Sequence, residues 1–226
     1  MFKKVEPLDK NKHIDVKFTP AENYGFAGDV SIAPLSYTEL PRASKYYPVV
    51  FSATDIPMPQ ALLSLKQGQN AFLDDAGRWR VPYIPIHIRR YPFILAKAGD
   101  EGNFAVCIDR EAPHFSREQG DPLYTANGEP TDILNKAVSF LQRYHQEIQD
   151  TEKLCAPLQE QGLFVDRQLT IGQGDQQKTL RGFRTVDTET LGGLDTETLG
   201  TWVKQGVMGL VYAHVHSLDT LQGLAG

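Results

Sequence analysis

Between Phe93 and Asp109 the apolar positions fall two apart, the period of a strand with one buried face. Phe104, Val106 and Ile108 share one side. The turn residues Gly99, Asp100, Glu101 and Gly102 divide this segment from the run 93–98, so the whole predicts a β-hairpin. A second hairpin is predicted over 164–186, with Gly172, Gln173, Gly174 and Asp175 at its turn. The aromatic and β-branched run 46–54, closed by the turn-rich 55–59, reads as a further strand. Short apolar runs at 61–65 and 71–73, separated by turn residues, then predict a meander, with Trp79 opening the next strand.

From Thr131 the period changes to that of a helix. Leu134, Ala137, Val138, Leu141, Ile148, Cys155 and Leu158 keep one stripe as far as Gly162, with a break or kink expected at Pro157. The tail also predicts helix. Asp187 and Asp195 open two copies of Asp-Thr-Glu-Thr-Leu-Gly, each placed to cap a short helix carrying an acid in its first turn. Val207, Val211, His214, Leu218 and Leu221 continue at helical spacing. Residues 1–45, interrupted by Pro7, Pro20, Pro34 and Pro41, predict an irregular arm with short strands. With strands on both sides of the long helix and no flexible linker, the expectation is one α+β domain over 1–226, the arm packed across it.

The stretch 81–93 supports two readings. Alternation puts Ile84, Ile86 and Ile88 on one strand face, but Pro85 would remove a ladder donor. As a short helix, Pro82 and Pro85 fall in the first turn and Pro92 ends it, which is the preferred reading.

Composition narrows the function classes. At 226 residues, 41% hydrophobic and 23% charged, the chain is long enough to hold a core without a metal or disulfide. A net charge of -5 lacks the positive field that nonspecific nucleic-acid binding needs, so no nucleic-acid partner is expected. No membrane span is expected, because the nearly apolar stretch 206–215 falls short of the roughly 20 residues a crossing requires. The start shows charge and proline instead of a secretion signal's apolar run, which makes cytoplasmic residence the default and leaves leaderless export open. Cys107 and Cys155 read as reduced, buried thiols.

Several fragments together resemble the bacterial SapC family: Tyr47-Pro48-Val49-Val50-Phe51, Gly77-Arg78-Trp79, Tyr83-Ile84-Pro85, Arg89-Arg90-Tyr91-Pro92-Phe93, Cys107-Ile108-Asp109, Thr151-Glu152-Lys153-Leu154-Cys155 and Tyr212-Ala213-His214. Their order and spacing carry the resemblance over about residues 20 to 222. It implies a protein associated with a bacterial surface layer, with no defined reaction and no catalytic residue to carry over.

The candidate chemistry centres on Arg78, Trp79, Arg80, Tyr83, His87, Arg89, Arg90 and Tyr91, a stretch with no acid between Asp75 and Asp100. Guanidinium forks grip carboxylate or phosphate, and aromatic rings stack on ligands or on guanidinium planes. An anionic or sugar-like ligand, or a protein partner, fits this cluster. Its competing explanation is internal pairing, with Asp187, Glu189, Asp195 and Glu197 of the tail as partners. A metal reading assembles His87, Asp109, Glu111 and His114 as a two-histidine, one-carboxylate site, although His114 beside Pro113 suits an exposed loop better. His214 and His216 could chelate only from a strand, and their surroundings favour helix. No cofactor is expected. The leading expectation is a non-catalytic binding or accessory protein, and the alternative is an enzyme holding an anionic substrate in the same pocket.

Overall fold

The computed structural model describes residues 1–99, 103–171 and 178–224. In chain order the arm contributes β1 (Val5–Pro7), α1 (Lys10–His13), β2 (Lys17–Phe18), β3 (Ile32–Pro34) and α2 (Leu40–Ala43). There follow β4 (Val49–Ser52), β5 (Pro59–Leu62), α3 (Ile86–Arg89), β6 (Phe93–Ala98), β7 (Asn103–Asp109), β8 (Phe115–Ser116) and β9 (Asp121–Pro122). The remainder is α4 (Asp132–Glu160), β10 (Phe164–Ile171), β11 (Lys178–Val186), α5 (Thr188–Gly192), α6 (Thr196–Gln205), α7 (Val207–Ser217) and a closing 3-10 segment, Leu218–Leu224. The fold is α+β with antiparallel sheets, as expected.

Three sheets organise it, with orders β1-β7-β6, β10-β11-β4-β5-β3 and β8-β2-β9. Both predicted hairpins form. The residues expected at the second turn, and three of the four at the first, lie outside the described residues. The meander after β5 does not form as strands. Leu73 and Trp79 make only an isolated bridge, because Asp74 folds its carboxylate onto the Ala76 and Arg78 amides and closes a tight turn instead.

Strand β4 is buried along its whole length because its sheet is covered on both faces. Val49 and Phe51 join the main core, built with α2, the C-terminal part of α4, and Trp202, Leu210 and Val211 of α6 and α7. Val50 points the other way, with Leu62 and Phe183, onto Leu218, Leu221 and Leu224. A second core lies under β6 and β7, where Phe93 and Ile108 meet Leu134 and Leu141. Helix α4 therefore serves two cores, Leu134 and Leu141 in one and Cys155 and Leu158 in the other.

The helix runs through Pro157 without a break. That proline lies in the last turn and removes only one backbone donor there. Thr131 stands at the N-cap position, but its hydroxyl donates to the carbonyls of Pro122 and Leu123 and not to the helix. Asp187 and Asp195 cap α5 and α6 as predicted, accepting from Thr190 N and Thr198 N. Both cysteines are free and buried. Burial raises both thiols, Cys155 to about 12. No helix among the described residues is long and apolar enough to cross a membrane.

One side chain stands in for part of a ladder. Helix α7 is helical through His214, so His214 and His216 diverge. His216 stacks near Tyr212 at the surface while His214 is fully buried. The β4–β11 register pairs Phe51 with Arg184, and continuing it would set Val49 opposite Val186. There the His214 ring intervenes. Its Nδ1 donates to the Val49 carbonyl at 2.7 Å and its Nε2 accepts from the Val186 amide at 3.2 Å. Ser217, one turn on, accepts from Val49 N at 2.8 Å. This fixes the neutral tautomer, and burial pushes the imidazole down to about 4 despite the bond to Val49.

The N-terminal arm is held by Asp109. Burial alone would raise its carboxyl, but the amides of Lys3, Lys4 and Glu111 and the Tyr91 hydroxyl all donate to it and hold it below the usual range. Asp109→Ala is expected to cost about 2–4 kcal/mol, since the part-buried amides of Lys3, Lys4 and Glu111 and the buried Tyr91 hydroxyl lose their acceptor. Hydrogen exchange should then show protection lost first at residues 3–8; a uniform loss across the chain would contradict the arm-pinning role.

Candidate functional site

Helix α3 forms where the prolines allow it. Pro85 takes the N-cap position with an extended ψ of 141, and the first free amide, Ile86 N, is satisfied from a distance. The acceptor is Glu39, whose Oε1 lies 2.7 Å from Ile86 N and also takes the Tyr83 hydroxyl at 2.9 Å. Its other oxygen accepts from Ser36 N at 2.9 Å. Burial pushes the Glu39 carboxyl up, against hydrogen bonds from Ser36, Ile86 and Tyr83 that favour the anion. The Ser36 hydroxyl lies within bonding distance of both Glu39 (3.2 Å) and Glu147 of α4 (3.0 Å), and Thr38 adds a bond to Glu147 at 2.7 Å. Thr151 completes the seam, accepting from Tyr37 N at 2.8 Å.

So anchored, α3 sends Ile88 into the core and places His87 and Arg90, three residues apart, on one face. These two side chains border a cavity of about 250 Å³ with Tyr144 and His145 of α4, walled by Leu95, Leu141 and Ile148. The Arg90 guanidinium lies against the Phe2 ring at 5.6 Å and the Tyr144 ring at 5.5 Å. Both contacts are within cation–π range. Among the described residues no carboxylate pairs with Arg90, and its Nε is buried with no hydrogen-bond partner. Burial lowers the guanidinium's proton affinity. His87 is pushed down to about 3 by burial first, then by Arg90 and the N-terminal ammonium, so it is neutral at pH 7. Burial likewise raises the Tyr144 phenol and keeps it protonated. The cavity thus offers one fixed cation beside two neutral, polar rings.

The rest of the sequence cluster is dispersed. Arg78 is exposed and pairs with Asp74 at 2.8 Å. Trp79 donates its indole N–H to the Tyr47 hydroxyl at 2.7 Å, and that hydroxyl donates to the Tyr83 carbonyl. Arg80 is exposed. Arg89 is exposed, donating Nε to the Ile84 carbonyl at 3.0 Å and lying over Tyr83 and Phe140. Tyr91 is buried against Phe26, at 4.4 Å, and donates to Asp109. The acids expected to neutralise these arginines do other work, Asp187 and Asp195 being helix caps.

Among the described residues no three His, Cys, Asp or Glu side chains are grouped to hold a metal ion. Asp109 is taken up by the arm, and Glu111 is exposed. His114, expected on an exposed loop, is 5% exposed and packs among Phe18, Phe26 and Tyr91, because the three-stranded sheet and the arm close over it. The cavity's other half escaped the sequence reading. Tyr144 fills the gap between Leu141 and Ile148 in the helical stripe, a polar-tipped aromatic at a core position, and that spacing was the available signal. Glu39 went unread as well: its bond to Ser36 is local, but the Tyr83 and Ile86 partners that tie it to α3 are remote in sequence.

Comparison with curated proteins and comparison with solved structures each return no match. The SapC family model, in contrast, matches residues 8–224, which takes in both cores, α3 and the cavity it borders. The chain belongs to the SapC family.

Proposed function

We propose that this SapC-family chain is a non-catalytic binding or accessory protein that holds a small anion at Arg90. The observation carrying this is that Arg90 borders a cavity, lies against two aromatic rings, has no carboxylate partner among the described residues and keeps a buried Nε without a hydrogen-bond partner. A buried cation edge left without an acceptor is costly, and a carboxylate or phosphate oxygen supplies what is missing. A volume of about 250 Å³ lies below the roughly 300–1,000 Å³ of drug-sized pockets, which points to a compact ligand.

The test is a thermal-shift and calorimetric screen against acetate, phosphate, sulfate and glucuronate. At least one should bind wild type saturably. Arg90→Gln should abolish that binding, while Arg78→Gln, which changes an arginine remote from the cavity, should leave affinity within about twofold. Binding that survives Arg90→Gln, or that depends equally on Arg78, overturns the reading.

A further inference from the structure

A second cavity, of about 510 Å³, opens where α1 and the segment after β8 flank β7. Glu6 and Ile108 are register partners across β1 and β7, so their side chains stand on the same face and both border it. Its apolar floor is Ile108 with Val16 and Phe115, at the margin of the second core. Around this floor stand three exposed cations from three separate elements: Lys12 of α1, Arg110 just past β7, and Arg117 just past β8.

The charges here do not cancel locally. Arg117 pairs with Asp15 at 2.8 Å, and Glu6 is engaged by the buried His13 at 3.0 Å. Among the described residues neither Lys12 nor Arg110 has a carboxylate partner. A merely solvated basic face needs no apolar floor, and a merely apolar pit gains nothing by collecting cations at its mouth. Floor and rim together match a molecule with an apolar body and one anionic end.

We infer that this cleft is a binding site for an amphipathic monocarboxylate, its chain lying on Val16, Ile108 and Phe115 and its carboxylate held by Lys12 and Arg110. It is separate from the Arg90 cavity and shares no lining residue with it. The probe is decanoate, titrated below its aggregation concentration and followed by calorimetry and by amide chemical shifts of the full chain.

Decanoate should bind saturably, shifting the amides of Lys12, His13, Val16 and Arg110. Acetate and decanol at matched concentrations should not reproduce those shifts. Lys12→Gln with Arg110→Gln should weaken decanoate at least tenfold, and Arg90→Gln should leave it within twofold. Arg110→Gln alone, expected to weaken it three- to fivefold, gives the same reading if the double variant fails to fold. The inference is overturned by absence of saturable binding, by shifts confined to residues around Arg90, by variants that bind like wild type, or by decanol or acetate matching decanoate.

Discussion

Replacing His214 with phenylalanine should destabilise the protein by about 2–5 kcal/mol, because the ring volume is kept while a buried carbonyl and a buried amide lose their partner. Those groups are Val49 C=O and Val186 N–H, which the imidazole joins across the seam between β4 and β11. The measurement is urea unfolding at pH 7. The same pair of proteins should differ in their response to acid. The folded imidazole titrates at about 4 against an ordinary 6.5, so the unfolded chain binds the extra proton between those values. Stability contributed by the neutral ring is complete above about pH 6.5 and is lost as pH falls toward 4, at about 1.4 kcal/mol per pH unit. His87 adds a fall of the same sign in both proteins. The variant should therefore lose less stability than wild type between pH 7 and pH 5. Equal slopes would show that His214 does not hold the neutral form in the folded state.

Glu39→Ala should be comparably severe, about 3–5 kcal/mol, since Ser36 N–H, Ile86 N–H and the Tyr83 hydroxyl all lose a buried acceptor. Glu39→Gln should cost less, about 1–2 kcal/mol, because the amide oxygen can still serve Ile86 and Tyr83 while its NH2 group faces the Ser36 donor. The two variants also separate stability from positioning. Glu39 does not line the Arg90 cavity, but it fixes the first turn of the helix that carries His87 and Arg90. Under conditions where Glu39→Gln is fully folded, anion affinity should fall several-fold through this displacement, and amide shifts should change at residues 86–90. Unchanged affinity in the folded variant would confine Glu39 to a purely structural part.

Local chemistry made much of the fold legible. Pro85, Asp187 and Asp195 announce helix starts through their own backbone or side-chain preferences, and the alternation in β7 is visible without any partner. What escaped depends on neighbours far along the chain. Trp79 was expected to begin a strand, yet the Asp74 turn leaves it a single bridge and sends its indole to Tyr47. His114 reads as exposed until the arm and Phe26 cover it. In the candidate site the sequence showed His87 and Arg90 within a basic cluster. It could not show that Arg78 and Arg89 turn away, because a four-residue helix alone separates positions 87 and 90 from 89, and only α4 identifies which face is enclosed.

Helix α4 carries a further consequence. At 29 residues it extends about 43 Å, a single beam whose two ends are each embedded in a different apolar interior. If either interior dissolved while the other kept its grip, leucines at one end of a continuous helix would be exposed to water, so denaturation should register as one transition by every spectroscopic probe. Tyr144 lies near the midpoint, and occupancy of the small cavity there should therefore slow the opening of the whole molecule and not of one half alone.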